Sequence, residues 1–372
     1  MTQYNKDTYC SFAFTGYDNR TKWICCLKTG NLNSYDEANA SEEVQNLRKD
    51  LLNGVKNPLC SQCWEAESVG LRSTRQTTLH ELTDTIIKDE VENPRIKFLW
   101  LNGGSVCNLA CRTCGPLWSS SLYKEDIDRY GSTWAKITKQ DVSPYMNSDF
   151  SAIKQIMILG GEPFLNMEHV TLLEKIVADG HAKQCTLVYI TNNTKRVPDR
   201  IKNIAKEFRS TRLSLSVDAT DEQFAYVRTR GEWQTFVDNF NYIKQLQKDI
   251  PQINLGFQVT VSALNVMYLD KLWQWLTSNN KNLNFSSDVF TAFCLNPDYY
   301  SFNVFTDSEK KKIIDKLSHD AFDFSSIIKQ IENSVFDAAA RQKFFEELAW
   351  TKQYHNLDYE QTLSLLASVL EN

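Results

Sequence analysis

Residues 101–114 read LNGGSVCNLACRTC and place three cysteines, Cys107, Cys111 and Cys114, in a CxxxCxxC spacing. The spacing supplies three thiolates and no obvious fourth. A cubane [4Fe–4S] cluster normally takes four cysteine ligands, so three would leave one iron open to a substrate or cofactor. This pattern indicates a site for chemistry. A structural zinc site or three buried thiols is the alternative that the triad alone leaves open.

Short apolar strands and amphipathic helices alternate from Arg95 to about residue 290. Near-continuous apolar strands separated by helices predict a parallel sheet that is buried on both faces. About six such units are too few to close an eight-unit barrel, so we expect an α/β fold built as a partial (β/α)6 TIM-like barrel. The strands are predicted at residues 97–101, 155–159, 186–190, 213–217 and 255–260, with a weaker sixth at 283–285.

Glycine and polar residues follow several of these strands, at the edge where barrels of this kind hold their sites. Gly160-Gly161-Glu162-Pro163 follows the second strand. Its glycines allow a ligand to approach the main chain, and Glu162 can accept a hydrogen bond from an ammonium. Asn192 follows the third strand, and after the fourth Ser216 and Asp218 point to the same side. Simple turns are the alternative for the first two segments.

The cysteine spacing and the Gly-Gly-Glu-Pro segment, one βα unit apart, resemble the radical S-adenosylmethionine (radical SAM) enzymes. The resemblance implies that Cys107, Cys111 and Cys114 bind a [4Fe–4S] cluster whose open iron is chelated by the amino and carboxylate groups of S-adenosylmethionine (SAM). An electron from the cluster then gives methionine and a 5′-deoxyadenosyl radical, which abstracts hydrogen from a substrate. One departure is Thr113, where many members carry an aromatic residue.

The same resemblance implies roles for the residues at the strand ends. The Gly-Gly-Glu-Pro segment would contact the SAM amino group, and Ser216 with Asp218 would bind its ribose and carboxylate. Arg228 is favoured over Arg230 to pair with the SAM carboxylate. The cofactor-binding residues are thereby predicted to be Gly160, Gly161, Glu162, Pro163, Asn192, Ser216, Asp218 and Arg228.

Five further cysteines precede the barrel: Cys10, Cys25, Cys26, Cys60 and Cys63. Apolar residues on both sides of a Gly-Tyr-Asp-Asn turn predict a β-hairpin with arms at 12–14 and 22–24. Adjacent residues of a strand face opposite sides, so we expect only one of the Cys25-Cys26 pair to join Cys10, Cys60 and Cys63 in a four-thiolate site. Such a site binds zinc or an iron–sulfur cluster, and spacing alone does not choose between them.

This segment resembles the twitch domain, a shortened relative of the SPASM domain, in its turn before Cys-Cys, its Gly-Asn-Leu and its CxxC followed by an acidic residue. The resemblance implies an auxiliary [4Fe–4S] cluster on Cys10, Cys25, Cys60 and Cys63, with Cys26 as the reserve ligand. A full set of four thiolates favours electron relay from a substrate radical. The twitch module more often follows the barrel, whereas here it precedes it.

Composition restricts the classes of partner. The 372-residue chain is 42% hydrophobic with a net charge of −5 at pH 7, and its Lys and Arg are scattered, so we expect no nucleic-acid partner. Its amino terminus is polar and no apolar run approaches membrane-spanning length, so we expect no membrane association. The ten cysteines indicate metal ligands in a reducing, cytoplasmic setting. Cys185 and Cys294 stand apart and are expected to be structural thiols.

Three parts are expected: an auxiliary-cluster module at residues 1–90, the partial barrel at 91–290 and a helical extension at 291–372. We predict a radical SAM oxidoreductase or modifying enzyme that uses SAM, an electron donor such as flavodoxin or ferredoxin, and an unknown substrate, for which a peptide or protein is favoured. The alternatives are a small-molecule or sugar radical dehydrogenase, a non-catalytic zinc-binding interaction protein, and a family member that keeps its clusters without turnover.

Overall fold

A computed structural model describes residues 5–19, 21–25, 28, 30–68, 73–78 and 82–370. These residues form one sheet of seven parallel strands, which follow one another in space in the order of the sequence. The sheet curls into a half-barrel, so the predicted α/β fold with a partial barrel is confirmed. The strands are β1 (Gly16–Asp18), β2 (Phe98–Asn102), β3 (Gln155–Leu159), β4 (Thr186–Thr191), β5 (Ser210–Ser216), β6 (Ile253–Val261) and β7 (Val289–Phe293).

Buried aliphatic side chains hold neighbouring strands in register. Leu99 and Leu101 of β2 pair with Ile156 and Ile158 of β3, and all four side chains are buried. Each such side chain contributes about 1.5–3 kcal/mol when it leaves water. A shift of one residue would turn these side chains to the opposite face, so the apolar pattern fixes the level at which each strand ends. The carboxyl ends of the strands therefore form one rim.

Amphipathic helices connect the strands. Helix α10, for example, buries Phe236, Phe240 and Ile243 at helical spacing. Within the described part of the chain, no helix has the length and apolar character needed to cross a membrane. The helices up to β5 are α1 (Ser11–Thr15), α2 (Tyr35–Ala40), α3 (Glu42–Leu52), α4 (Ser61–Ser68), α5 (Asp84–Glu92), α6 (Ser120–Tyr130), α7 (His169–Ala178) and α8 (Asp199–Ala205). Those after β5 are α9 (Asp221–Val227), α10 (Trp233–Asp249), α11 (Leu269–Asn279), α12 (Phe285–Asp288), α13 (Asp307–Ser318), α14 (Ser325–Glu332), α15 (Ala338–His355), α16 (Tyr359–Thr362) and α17 (Ser364–Ala367).

The predicted amino-terminal hairpin is wrong. Its first arm lies in helix α1, and the following strand β1 pairs in parallel with β2. Within the described residues, an isolated antiparallel bridge joins Trp23 of the second predicted arm to Asp18 of the predicted turn. Long-range packing explains the difference, because the Phe12 ring lies 4.8 Å from the rings of both Phe98 and Trp100 on β2. Local alternation of apolar residues does not contain that information.

The sixth predicted barrel strand is displaced along the chain. It lies at Val289–Phe293 rather than at residues 283–285. The cause is the Asn284 side chain, which accepts the main-chain N–H of Ser286 and so begins the short helix α12 at Phe285.

The segment after β7 is helical, as predicted. The side chains of Thr306 and Glu309 form a capping box at the start of α13. Arg341 of α15 pairs with Glu309 at 2.8 Å, which ties α15 to α13. The far end of α15 then reaches the barrel rim beside Cys111.

Candidate active site

The cysteine loop, residues 103–119, joins β2 to α6 and is shaped by serines at the start of that helix. Ser119 caps α6 by accepting the Leu122 amide, and its Oγ–H donates to Leu109 O at 2.6 Å. Ser120 Oγ accepts the N–H of Cys107 at 3.1 Å. The helix start thereby determines the path of the loop between the first two cysteines of the triad.

A second set of contacts fixes the other side of the loop. Ala110 N–H donates to Thr229 O and Arg112 N–H donates to Val227 O, both at 2.9 Å. These two bonds flank Cys111 and attach the loop to the segment that follows α9. The cysteine loop is thus held by serine side chains on one side and by main-chain hydrogen bonds on the other.

A cavity of about 380 Å³ lies at the rim under this loop. It collects residues from the ends of β3, β4, β5 and β6, which are far apart in sequence. Nine residues predicted for the site line it: Cys107, Cys111, Cys114, Gly160, Gly161, Asn192, Ser216, Asp218 and Arg228. Sequence reasoning did not identify Thr260 or Trp118, which also line it, because neither stands in a distinctive motif.

The two glycines allow β3 to end directly beneath the loop. Gly160 has φ of +113°, which disfavours any residue with a side chain. A Cβ on Gly161 would collide with the carbonyl oxygen of Val106. The main chain of this turn can therefore approach the cysteine loop and any ligand in the cavity.

Glu162 is held by donors from its own turn and from the turn after β4. Its carboxylate is buried and accepts Asn192 N–H and Thr191 Oγ–H, both at 2.8 Å, and Phe164 N–H at 3.1 Å. Burial raises the pKa of Glu162 to about 7, against the effect of these donors. Neither Glu162 nor Pro163 lines the cavity. In this structure Glu162 joins the turns after β3 and β4, and so positions Asn192.

Asp218 and Arg228 form a buried ion pair in the cavity wall. Arg228 Nε lies 3.1 Å from Asp218 Oδ2, and Asp218 Oδ1 accepts the N–H of Thr260 at 2.7 Å. The pair leaves the guanidinium facing the cysteines, with Arg228 Nη1 3.6 Å from Cys111 Sγ. Arg230, the other candidate for this role, is exposed to solvent.

The sulfur atoms are surrounded by hydrogen-bond donors. Leu109 N–H lies 3.5 Å from Cys107 Sγ, and Asn192 Nδ2 lies 3.9 Å from the same atom. Burial raises the pKa of Cys107 to about 12, so the thiolate form requires a compensating positive charge. Metal ions bind the thiolate and supply that charge. The donor set therefore fits a buried, anionic iron–sulfur group.

Zinc sites and cubane clusters differ in the spacing of thiolates that they require. Among the described side chains, no three or more of His, Cys, Asp and Glu are grouped so as to hold a single ion. Thiolates in a tetrahedral zinc site stand about 3.8 Å apart when each Zn–S bond is about 2.3 Å. A cubane spreads its ligands over several irons and needs a wider spacing.

The amino-terminal cysteines also lie close to one another. Cys10 precedes α1, Cys60 ends a 3₁₀ turn and Cys63 follows in α4. Burial, and then the neighbouring Cys60 and Cys63, raise the pKa of Cys10 to about 12. Burial, and then the neighbouring Cys25, raise the pKa of Cys60 to about 12. All four predicted ligands therefore share one neighbourhood. Cys26 lies outside the described residues.

A buried polar network that no sequence motif indicates lies beside the cysteine loop. Arg112 forms a two-pronged ion pair with Glu125 of α6, at 2.8 and 2.9 Å. The same carboxylate accepts Trp350 Nε1–H and contacts His355 Nε2, both at 2.9 Å and both from α15. The members stand as much as 243 residues apart, so no local signal could have shown the link.

Cys294, which is expected to be a structural thiol, lies near the candidate site. Its N–H donates to Val261 O at 2.8 Å, which places it at the rim after β7. Burial raises the pKa of its thiol to about 12, and Asp218 of the cavity wall adds to the effect. Burial raises the pKa of Cys114 to about 12, and Cys294 is among the neighbouring groups that add to the effect. The thiol is therefore a neighbour of the candidate site.

Solved structures with partial similarity to this chain include anSMEcpe with bound AdoMet, at 16% identity and a TM-score of 0.42, over 70% of this chain and 65% of that one. Streptococcus suis SuiB bound to precursor peptide SuiA matches at 13% identity and a TM-score of 0.38, over 82% of this chain and 65% of SuiB. The alignment thus spans just under two thirds of each of these proteins. No curated protein sequence matches.

The sequence of the rim-forming strands also matches a protein family. The match runs from residue 101, at the end of β2, to residue 262, just after β6, and includes all nine predicted residues that line the cavity. The family is the radical SAM superfamily. This chain therefore carries a radical SAM superfamily domain at residues 101–262.

Proposed function

We propose that this protein is a radical SAM enzyme that cleaves SAM reductively and abstracts hydrogen from an unreactive C–H position of a substrate. One observation carries the proposal: the three cysteines of the CxxxCxxC loop line the same cavity as the polar residues at four strand ends. A structural metal site has no need of a cavity of about 380 Å³ beside its ligands.

In this proposal Cys107, Cys111 and Cys114 hold the cluster, which supplies the electron that splits SAM into methionine and a 5′-deoxyadenosyl radical. The chain's own residues bind and orient SAM. The Arg228 guanidinium, held by Asp218, presents positive charge to the SAM carboxylate. The turn at Gly160-Gly161 lets the main chain reach the amino group, and the buried walls limit access of water to the radical.

An auxiliary cluster on Cys10, Cys25, Cys60 and Cys63 completes the proposal. Its support is the shared neighbourhood of the four thiols and the presence of two cations, Arg75 and Lys28, near Cys60. Four ligands leave no iron open, so the cluster would pass on an electron from a substrate radical. A flavodoxin or ferredoxin in a reducing compartment such as the cytoplasm would supply the first electron.

The test is product formation by the anaerobically reconstituted protein. With dithionite and SAM, the wild type should form 5′-deoxyadenosine and methionine in equal amounts. Cys107→Ala should form neither, whereas Cys185→Ala, which removes a buried sulfur remote from the loop, should behave like the wild type. Zinc in place of iron and sulfide, or a fully loaded protein that forms no 5′-deoxyadenosine, would overturn the proposal.

A further inference from the structure

Strand β7 presents an open edge at one end of the half-barrel. Its only strand neighbour within the described residues is β6. Cys294 N–H donates to Val261 O, and Val261 stands opposite Phe293, which sets the direction of the main-chain groups along the strand. In a parallel pair of this register, the N–H and C=O groups of Thr291 and Phe293 point away from β6. No described strand accepts them.

A second cavity, of about 290 Å³, lies at the carboxyl end of this edge. Val261, Phe293 and Leu295 supply its apolar wall, and Asn303, Gln330 and Asn333 supply amide groups. None of the described residues that line it is charged. A phosphate or carboxylate ligand needs cationic partners when it is buried, so this lining favours an uncharged group with hydrogen-bonding neighbours, such as a residue within a peptide.

This cavity lies at the same strand ends as the proposed SAM site. Thr260 lines the SAM cavity and Val261 lines the second cavity, and since adjacent strand residues face opposite sides, the two cavities meet the end of β6 from opposite faces of the sheet. Cys294 also lines the second cavity and lies near both Cys114 and Asp218. The second cavity is therefore at the same rim of the half-barrel as the proposed SAM site, with Cys294 between the two.

The surroundings of the edge are unusually apolar for a solvent-facing surface. Phe290 on β7 is 60% exposed, Leu295 after it is 67% exposed and Val335 at the cavity rim is 77% exposed. An exposed apolar edge strand promotes unwanted strand pairing unless it serves a partner. Leu295 and Val335 line the cavity and Phe290 lies on β7 itself, so all three border the path of a strand added to this edge.

We infer that the substrate is a polypeptide, and that an extended segment of it pairs with β7 as an additional strand while one uncharged side chain enters the cavity at the end of that strand. The inference rests on the proposed function, because it assigns the substrate class of the same site. Main-chain hydrogen bonds to Thr291 and Phe293 supply affinity, and the cavity selects the side chain. The edge then delivers the substrate to the carboxyl rim where SAM is held.

A proline at residue 291 tests the hydrogen bond between the substrate and the open edge of β7. Thr291→Pro removes an N–H that faces away from β6, so the sheet keeps its own hydrogen bonds. Thr291→Val is the matched control, since it alters the side chain and keeps the N–H. Val335→Arg places a charge at the cavity rim, and its control is Val55→Arg, at an exposed apolar position that does not line the cavity.

The probe is a displayed library of randomised, end-blocked nine-residue peptides, selected on the reconstituted wild type with SAM. Selected peptides should bind Thr291→Pro and Val335→Arg about tenfold more weakly, the loss of one hydrogen bond or of an apolar contact, and should bind both controls unchanged. Selection of no peptide, or equal binding to Thr291→Pro and wild type, would overturn the inference. So would a wild-type dimer that Thr291→Pro converts to monomer, because the edge would then serve a second copy.

SAM binding, measured separately on each variant, distinguishes failure of the polypeptide inference from failure of the proposed function. If SAM binds and is cleaved but the peptide results fail, only the polypeptide inference falls. If the loaded wild type does not bind SAM, the proposed function falls, whatever the peptides do.

Discussion

Arg228 reaches the candidate SAM cavity as the partner of Asp218, whose carboxylate lies 3.1 Å from its Nε atom. Both side chains are buried, with the carboxylate also held by the Thr260 amide. A buried pair of this kind keeps one charged group in a fixed orientation. The direction of the guanidinium is therefore a property of the fold and is present before any ligand binds.

The first prediction follows from this geometry. Arg228→Lys keeps the positive charge but loses the planar fork, so we expect SAM to bind about tenfold more weakly. Arg230→Lys, two residues away and exposed, should leave the affinity unchanged. Anaerobic titration calorimetry of the two reconstituted variants measures the difference. Equal affinities would mean that Arg228 has no contact with SAM.

The second prediction concerns the network that joins α15 to the cysteine loop. Glu125→Ala would leave Arg112 buried and unpaired, which typically costs about 3–5 kcal/mol. The control is Glu174→Ala, which breaks an exposed pair with Arg200 and should cost less than about 1 kcal/mol. Urea unfolding under anaerobic conditions compares the two. A similar small loss in both variants would show that the network does not stabilise the fold.

The third prediction is a pH dependence of stability that arises at His169. The ring is fully buried, and its two nitrogens contact Gln140 Oε1 at 3.1 Å and Tyr189 Oη at 3.0 Å. Gln140 Oε1 also accepts the His169 main-chain N–H, so it is the amide oxygen, and Nδ1 must be the protonated nitrogen. Burial lowers the pKa of His169 to about 4, which keeps the ring neutral.

The pKa of His169 is lower in the folded protein than its value of about 6.5 in the unfolded chain. The neutral ring therefore contributes fully to stability above about pH 6.5, and this contribution is lost as the pH falls towards 4. Between about pH 7 and about pH 5, the free energy of unfolding should fall by roughly 2 kcal/mol more in the wild type than in His169→Asn. Asn retains a donor for Gln140 and does not titrate. Parallel pH profiles of the two proteins, obtained by urea unfolding, would contradict this assignment.

The fourth prediction distinguishes the two adjacent amino-terminal cysteines. Cys25→Ala should lower the iron content from about eight to about four atoms per chain, since a cubane that lacks one of four thiolates is lost. Cys26→Ala should retain about eight. Iron and sulfide analysis after identical anaerobic reconstitution provides the measurement. The reverse result would exchange the ligand assignment, and no loss in either variant would remove the auxiliary cluster from this segment.

The sequence allowed the fold class and the members of the rim to be predicted because both depend on local patterns. Apolar strands are recognisable by themselves, and residues such as Asp218 acquire a common location once the strands are parallel. The contacts of Glu162 could not be predicted from the sequence, since its partners Thr191 and Asn192 belong to another turn. A carboxylate in a motif does not reveal which donors will surround it.

Contacts between distant segments account for what could not be predicted. The segment around Phe12 is helical because it packs against β2, about 86 residues later, and local alternation favoured a strand instead. Arg112 and His355 meet only after the whole barrel and the helices beyond it have formed. Cys294 likewise looked isolated until the pairing of β6 with β7 brought it beside Cys114.

The most direct test of the central claim is the EPR spectrum of a reduced variant that keeps only Cys107, Cys111 and Cys114 as cluster ligands, recorded with and without SAM. The account predicts one [4Fe–4S] signal that shifts when SAM is added, because SAM coordinates the iron that the three thiolates leave open. A spectrum that is identical in the presence of excess SAM would contradict it.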